Sequence, residues 1–483
     1  MIKKTRSLIA LLVTTSLITP TIASASVELP DIGTAAAGTL TIDQEKVYGD
    51  AYMRMLRASS PIIHDPVLNE YISNLGHQLV GNANDVKTPF QFFMIQDRMI
   101  NAFAFFGGYV ALHSGLFLHA NSESELASVM AHEIAHVTQR HLARSMEAQA
   151  RRTPATIAAL AGSLLLAIAA PEAGIAAMTA TTAGSMQSQI NYTRSNEKEA
   201  DRFGIVTLAK SGFDVRAMPQ FFGRLADQYR YASTPPAMLL THPLPQERIT
   251  DSRARAQQYP PLKLGPSIDY HLAKARVVAR HAQIEPEAAL DWLERRLKKS
   301  SAELKPTYQY GQALVYLDTK QLQKAETLLT ALLKQDALNT FYLDALSDLY
   351  IYKKQPQQSI TLLENALAKK PNNPVLTINY ANALIEAEQF KQAASLLQRY
   401  THEHANDING WQLLADAYGK QGKSAENLAA KGEIFALRGG WNKALQNFTQ
   451  ASQLVELGSL EQARYDARID QLMIQRDRFL ALQ

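Results

Sequence analysis

The 483-residue chain predicts an α+β domain followed by an all-α solenoid. Three observations carry this. Helical apolar spacing over Ile42–Leu56 and Val67–Leu79 gives way after Pro89 to "PFQFFMIQ" and "INAFAFFGGYVALHSGLF", dense in aromatic and β-branched residues. Beyond residue 267 the strand signal disappears and a 34-residue period sets in. Between the halves, "YPPLKLGPS" (Tyr259–Ser267) has the proline and glycine content of a linker. The expected divisions are a leader, 1–25, a first domain, 26–262, and a repeat domain, 263–483.

The opening "MIKKTRSLIALLVTTSLITPTIASAS" has a basic start (Lys3, Lys4, Arg6), an apolar core from Leu8 to Ile18 and a small-residue site at Ala23–Ala25. That is a secretory signal peptide, and its apolar run is too short to span a bilayer. Its removal takes three cations and no acids from a net charge of +4, leaving +1, which excludes nucleic acid as the main partner. The chain has no cysteine, so disulfides, thiol catalysis, a Cys-ligated metal and a lipid-anchor thiol are all excluded. Together these point to the periplasm.

Taken in order, Gly107-Gly108 supplies a two-residue hairpin turn after the strand Asn101–Phe105. Ser122 and Glu125 fit a capping box, opening a helix expected to run to Arg151, where Thr153-Pro154 ends it. Ala155–Gly184 is rich in Ala and Gly, but Pro171-Glu172 divides it into halves too short to span a membrane. The expectation is a helical hairpin packed on the protein, with peripheral membrane contact. Windows of 34 residues then begin at Pro306, Thr340, Pro374 and Ile408. Small residues hold the eighth position (Ala313, Ser347, Ala381, Ala415) and the twentieth of three windows (Ala325, Ser359, Ala393). Asn427 breaks the twentieth position of the fourth window, and Ala444, Phe448 and Ala451 resume the pattern in a shifted frame. The period resembles the tetratricopeptide repeat, whose stacked helix pairs form a concave face for peptides or proteins.

Chemistry concentrates in "VMAHEIAHVTQRH" (Val129–His141). On a helix, His132 and His136 are four apart and share a face, so their imidazoles can converge on one ion. Glu133 lies about 100° around the helix, beside that ion, where a general base would act on water. A catalytic zinc needs a third protein ligand. His141 points away from the shared face and reads as a polar helix residue. The better candidate lies in "NYTRSNEKEADRFG", where Glu197 and Asp201 are again four apart. Glu197 would bind the metal, and Asp201 would hydrogen-bond a ligand histidine or the reacting centre. Glu199, on another face, reads as solvated. In "LLTHPLPQER", His242 sits in a loop stiffened by two prolines. It is expected to reach the zinc as a fourth ligand, closing the site until substrate displaces the loop.

HEIAH, "NAFAFFGG" and the segment Glu197–Gly204 together resemble the peptidase family of the CAAX prenyl proteases. The resemblance implies an α+β gluzincin-like metalloprotease domain followed by an all-α tetratricopeptide-repeat solenoid. It implies one Zn2+ per chain on His132, His136 and Glu197, with Glu133 as catalytic base and Asp201 as proton donor. The strand Asn101, Ala102, Phe103, Ala104, Phe105 would hold substrate by backbone pairing. Many members carry proline before the Gly-Gly turn, where Phe106 stands here, so the turn type is open. With the leader and the repeats, the resemblance further implies a periplasmic endopeptidase and chaperone. Its substrates would be misfolded or stalled outer-membrane β-barrel proteins, and its repeats would dock on the barrel assembly machinery. The rival reading is a repeat scaffold with a dormant or structural metal site; Glu133 argues against it, since a structural site needs no base.

Overall fold

The computed structural model describes residues 36, 38–150, 194–230 and 237–480. The expected leader, 1–25, and the Ala/Gly-rich hairpin, 155–184, lie outside the described residues. Two helices come first. α1 (Ile42–Ser59) is opened by a full capping box between Thr41 and Gln44. α2 (Pro66–Val80) is capped by Asp65, whose carboxylate accepts from the amides of Val67 and Leu68, with Pro66 at the first helical position.

Strands β1 (Gln91–Ile95), β2 (Ala102–Phe105) and β3 (Tyr109–His113) form one sheet in the order β1-β3-β2. β3 runs parallel to β1 and antiparallel to β2, which takes an edge. Every residue of β2 and β3 is buried. Ala102, Ala104, Val110 and Leu112 join one core cluster; Phe103, Phe105, Tyr109 and Ala111 join another, with Tyr52 and Leu142. Burial on both faces is why these strands read as continuous apolar runs rather than alternating ones.

The turn differs from expectation. Phe105 pairs with Tyr109, so three residues, Phe106–Gly108, make the connection. Gly107 and Gly108 both have positive φ, 77° and 79°, conformations that cost an L side chain energy.

α3 (Ser114–His119) leads to α4 (Glu123–Thr138). The expected capping box is half formed: Ser122 Oγ accepts from the Glu125 amide, but the Glu125 carboxylate reaches the Asn121 amide and pairs with Arg224. The helix does not continue to Arg151. It stops at Gln139, Arg140 takes φ 52°, and a separate helix α5 (His141–Ala150) starts there. The break is held by tertiary bonds, from the Arg140 guanidinium to Glu45 at 2.9 Å and to the Leu40 carbonyl at 2.6 Å. α6 (Arg194–Lys210), α7 (Ala217–Tyr229), α8 (Ala237–Thr241) and α9 (Gln246–Ala256) complete the first half. Residues 260–267 carry no regular element.

Then helices follow one another: α10 (Ile268–Arg276), α11 (Pro286–Lys299), α12 (Lys305–Asp318), α13 (Leu322–Gln335), α14 (Thr340–Tyr352), α15 (Pro356–Leu367), α16 (Pro374–Glu386), α17 (Phe390–Glu403), α18 (Ile408–Lys420), α19 (Ser424–Leu437), α20 (Trp441–Gln453) and α21 (Leu460–Leu480). Helix pairs begin at Lys305, Thr340, Pro374 and Ile408, in phase with the 34-residue windows. The small residues are where paired helices touch, as between Ser347 and Ser359, whose hydroxyls are 2.6 Å apart. At the irregular position, Asn427 instead donates to the Ala415 carbonyl at 2.5 Å. The repeats also share a core with the first half: one apolar cluster includes Val67, Met130 and Leu208 together with Tyr270, Leu314 and Phe341. Among the described residues, no helix is long and apolar enough to cross a membrane.

Candidate metal centre

α4 is buried without interruption from Ser124 to His136, so His132, Glu133 and His136 lie in a dry interior. α6 packs against it closely. A Cβ on Gly204 would stand 3.3 Å from the His132 backbone nitrogen and 3.0 Å from the Met218 methyl. Glycine there lets α6 approach near enough to set Glu197 and Asp201, both 1 % exposed, against the histidines. The third contribution is the turn after α8, which inserts His242.

The four side chains meet. His132 Nε2 lies 3.0 Å from His136 Nε2 and 3.4 Å from both His242 Nδ1 and Glu197 Oε2. Glu197 Oε1 is 3.5 Å from His136 Nε2 and 3.2 Å from His242 Nδ1. These residues form a buried group able to hold a metal ion. A tetrahedral ion with bonds of about 2.0–2.1 Å needs donors about 3.3 Å apart, so the separations fit the group. Glu133 stands beside the cluster, its Oε1 3.5 Å from His242 Nε2 and without a hydrogen-bond partner.

Behind the donors is a layer of charge. His132 Nδ1 is 2.9 Å from Asp201 Oδ1. Arg248 donates to both Asp201 oxygens, at 2.8 and 2.7 Å, and lies 2.7 Å from Glu197 Oε2. Burial works to raise the Asp201 carboxyl, but Arg248 and His132 hold it below the usual range. Burial opposes charge on both rings; Asp201 and Glu197 overcome it for His132, pushed up to about 10, while His136 stays well below 6.5.

Two expectations need correction. His141 does not point away from the shared face: it is fully buried, with its Nδ1 2.9 Å from His136 Nδ1. Regular helix would have carried it away from that face; the break at Arg140 brings it back. Nor is Glu199 simply solvated, since its Oε2 lies 3.3 Å from His141 Nε2 and 3.0 Å from Arg144 Nη1. Arg248 was missed altogether. Its only signal was indirect: two buried acids on one helix require a cation. Asn101, just before β2, is fully buried, and neither atom of its amide has a partner.

The profile of peptidase family M48 matches residues 66–256, and a tetratricopeptide-repeat profile matches residues 350–417. The chain is 71% identical over 479 residues to a putative beta-barrel assembly-enhancing protease of Vibrio cholerae, covering 99% of each chain. It is 49% identical to the beta-barrel assembly-enhancing protease of Yersinia pestis, over 94% of this chain and 93% of that one. Against the Escherichia coli K12 protein of that name it is 47% identical, over 96% and 94%. The chain belongs to peptidase family M48. As an M48 peptidase it is a metalloprotease with tetratricopeptide repeats behind the catalytic half, and the buried His-His-Glu-His group fits the metal site that such an enzyme needs.

Proposed function

We propose that this metalloprotease is a periplasmic zinc endopeptidase and chaperone acting on misfolded or stalled outer-membrane β-barrel proteins, with one zinc per chain. The observation that carries the chemistry is the convergence of three imidazole nitrogens and one carboxylate beside an unpartnered glutamate oxygen. Imidazole and carboxylate donors in a tetrahedral setting suit zinc. The substrate class rests on the relatives, each named a beta-barrel assembly-enhancing protease. The compartment rests on the leader expected at residues 1–25, and a domain division near residue 262 on the composition of Tyr259–Ser267. Ala155–Gly184 supplies peripheral membrane contact in this reading, and the repeats dock the enzyme on the barrel assembly machinery.

In the mechanism, His132, His136 and Glu197 would hold the zinc. When bound, zinc supplies Lewis-acid activation of water and of the scissile carbonyl. Glu133 takes the water's proton through its unpartnered oxygen and passes it to the leaving amine. Asp201 has both oxygens engaged by Arg248 and one facing His132 Nδ1. It therefore acts by orienting His132, and its depressed carboxyl is poorly suited to donate a proton. β2, an edge strand of the sheet, pairs with an extended substrate in this reading, and the Asn101 amide supplies two unused hydrogen-bonding atoms at its start. His242 would be a fourth protein ligand, and a site with four protein ligands is catalytically silent.

The test is Glu133→Gln in the full chain. It should keep zinc and fold while losing at least about 100-fold in cleavage of an unfolded barrel protein. Retained cleavage would sink the reading. His242→Ala should raise basal peptidase activity; unchanged activity with unchanged zinc content removes the plug.

A further inference from the structure

Resting on the reading of His136 as a zinc ligand, we propose that His141 and Glu199 form a one-way hydrogen-bond relay. It fixes the tautomer and ring orientation of His136, and His141 is its positioning residue.

The direction follows from what each group can donate. Glu199 is paired with Arg144 at 3.0 Å. Ion-paired in this way, it is a carboxylate that only accepts. Its neighbour at 3.3 Å, His141 Nε2, must carry the proton of that ring. His141 is fully buried against a second imidazole, and with its one proton on Nε2 its Nδ1 is a bare lone pair. That lone pair faces His136 Nδ1 at 2.9 Å. Two lone pairs cannot stand that close, so His136 Nδ1 donates. The ring of His136 then has its only proton on the outer nitrogen, and Nε2 presents a lone pair to the cluster. For His132 the acid is adjacent: Asp201 Oδ1 faces Nδ1 at 2.9 Å, which favours a proton on that nitrogen. The two ligand histidines are thus set by two different acids, one in contact and one through an intervening imidazole.

The helix break gains a purpose. Five residues of regular helix would place His141 about 140° around from His136. The positive φ of Arg140, held by Glu45 and the Leu40 carbonyl, places His141 at the start of α5 beside the ligand ring. The feature least expected from helix periodicity is what builds the relay.

The test is zinc affinity by chelator competition on the full chain, with Co2+ absorption as a second readout. His141→Leu removes the acceptor and should weaken zinc binding about 10- to 100-fold. It should also shift the Co2+ visible spectrum, because one imidazole is free to turn. His141→Asn keeps a carbonyl oxygen where Nδ1 stood and should bind zinc within about 3-fold of wild type, a rescue that filling space alone cannot produce. Glu199→Ala lies toward the surface, leaves the buried rings in place, and should weaken binding by about 3- to 10-fold. The relay is overturned if His141→Leu binds zinc as wild type does, or if His141→Asn loses as much as His141→Leu. His136→Ala, measured alongside, separates the two claims: full affinity there would remove the ligand assignment itself.

Discussion

Arg248 decides the charge of the metal centre before any cation arrives. Its side chain is 2 % exposed and lies 2.7 Å from oxygens of both Glu197 and Asp201, with its guanidinium 5.3 Å from the centre of the Phe222 ring. Two buried carboxylates on one helix repel each other, and one guanidinium answers both. Arg248→Met should therefore lower the stability of the metal-free protein by about 3–5 kcal/mol, the usual cost of stranding a buried charge. The loss should be smaller with zinc present, because the ion then balances Glu197. Urea unfolding with and without metal checks both, and equal losses would mean that Arg248 has no share in the charge of the site. Only half of this was readable from spacing. The pairs His132/His136 and Glu197/Asp201 are set by four-residue steps on helices. The partners Arg248, His141 and Glu199 are brought by other segments or by a broken helix, and no local spacing marks them.

At the scale of elements, the closeness of α4 and α6 is what brings His132, His136 and Glu197 into one cluster. Gly204 leaves room at 3.3 Å from the His132 backbone, and a larger residue must push the helices apart. Gly204→Val should cost about 1–3 kcal/mol and weaken zinc binding while circular dichroism still shows the helices; unchanged zinc affinity would show that the spacing is not critical. The hairpin gives a second case. A Cβ on Gly108 would stand 2.0 Å from the Pro89 carbonyl oxygen, whereas one on Gly107 meets nothing nearer than 3.4 Å. Gly108→Ala should therefore lower the melting temperature more than Gly107→Ala, although both share the strain of positive φ. The sequence marked both glycines as turn formers. Loop length stayed open because pairing of Phe105 with Tyr109, set by the sheet, decides the register.

Across the whole molecule, the repeats are tied to the catalytic half by buried charge. Arg276, on the first helix after the proline-rich segment, reaches the α2 cap Asp65 at 2.6 Å and Asp344 of the second repeat at 2.7 Å. Thr340 donates to Glu70, and Asn409 to the His64 carbonyl, at further points along the array. Burial works to raise the Asp65 carboxyl, yet Arg276 and His281 hold it below its usual 3.8. A depressed acid adds stability that is complete above its unfolded value and is lost as pH falls through its folded one. The coupling between the halves should thus weaken below about pH 4. Asp348, pushed up to about 7 by burial and by Asp344, acts in the opposite sense, but a third of its side chain meets solvent and screening reduces its share. Asp65→Asn should remove the acid-side slope and cost about 3–5 kcal/mol at pH 7; unfolding followed from pH 7 to pH 3 tests both, and an unchanged slope would assign the loss to other acids.

By itself the sequence determined what depends on chain geometry over one or two turns. That covers the His132–His136 face with Glu133 beside it, the Glu197–Asp201 pair, the 34-residue helix-pair phase and the positions of its small residues. Tertiary structure alone decided what depends on segments distant along the chain. Asp65 meets Arg276 across 211 residues, Arg140 meets Glu45 across 95, and Arg248 meets Asp201 across 47. Local periodicity limits which faces a side chain can share, but a buried charge finds its partner only when the whole fold closes around it.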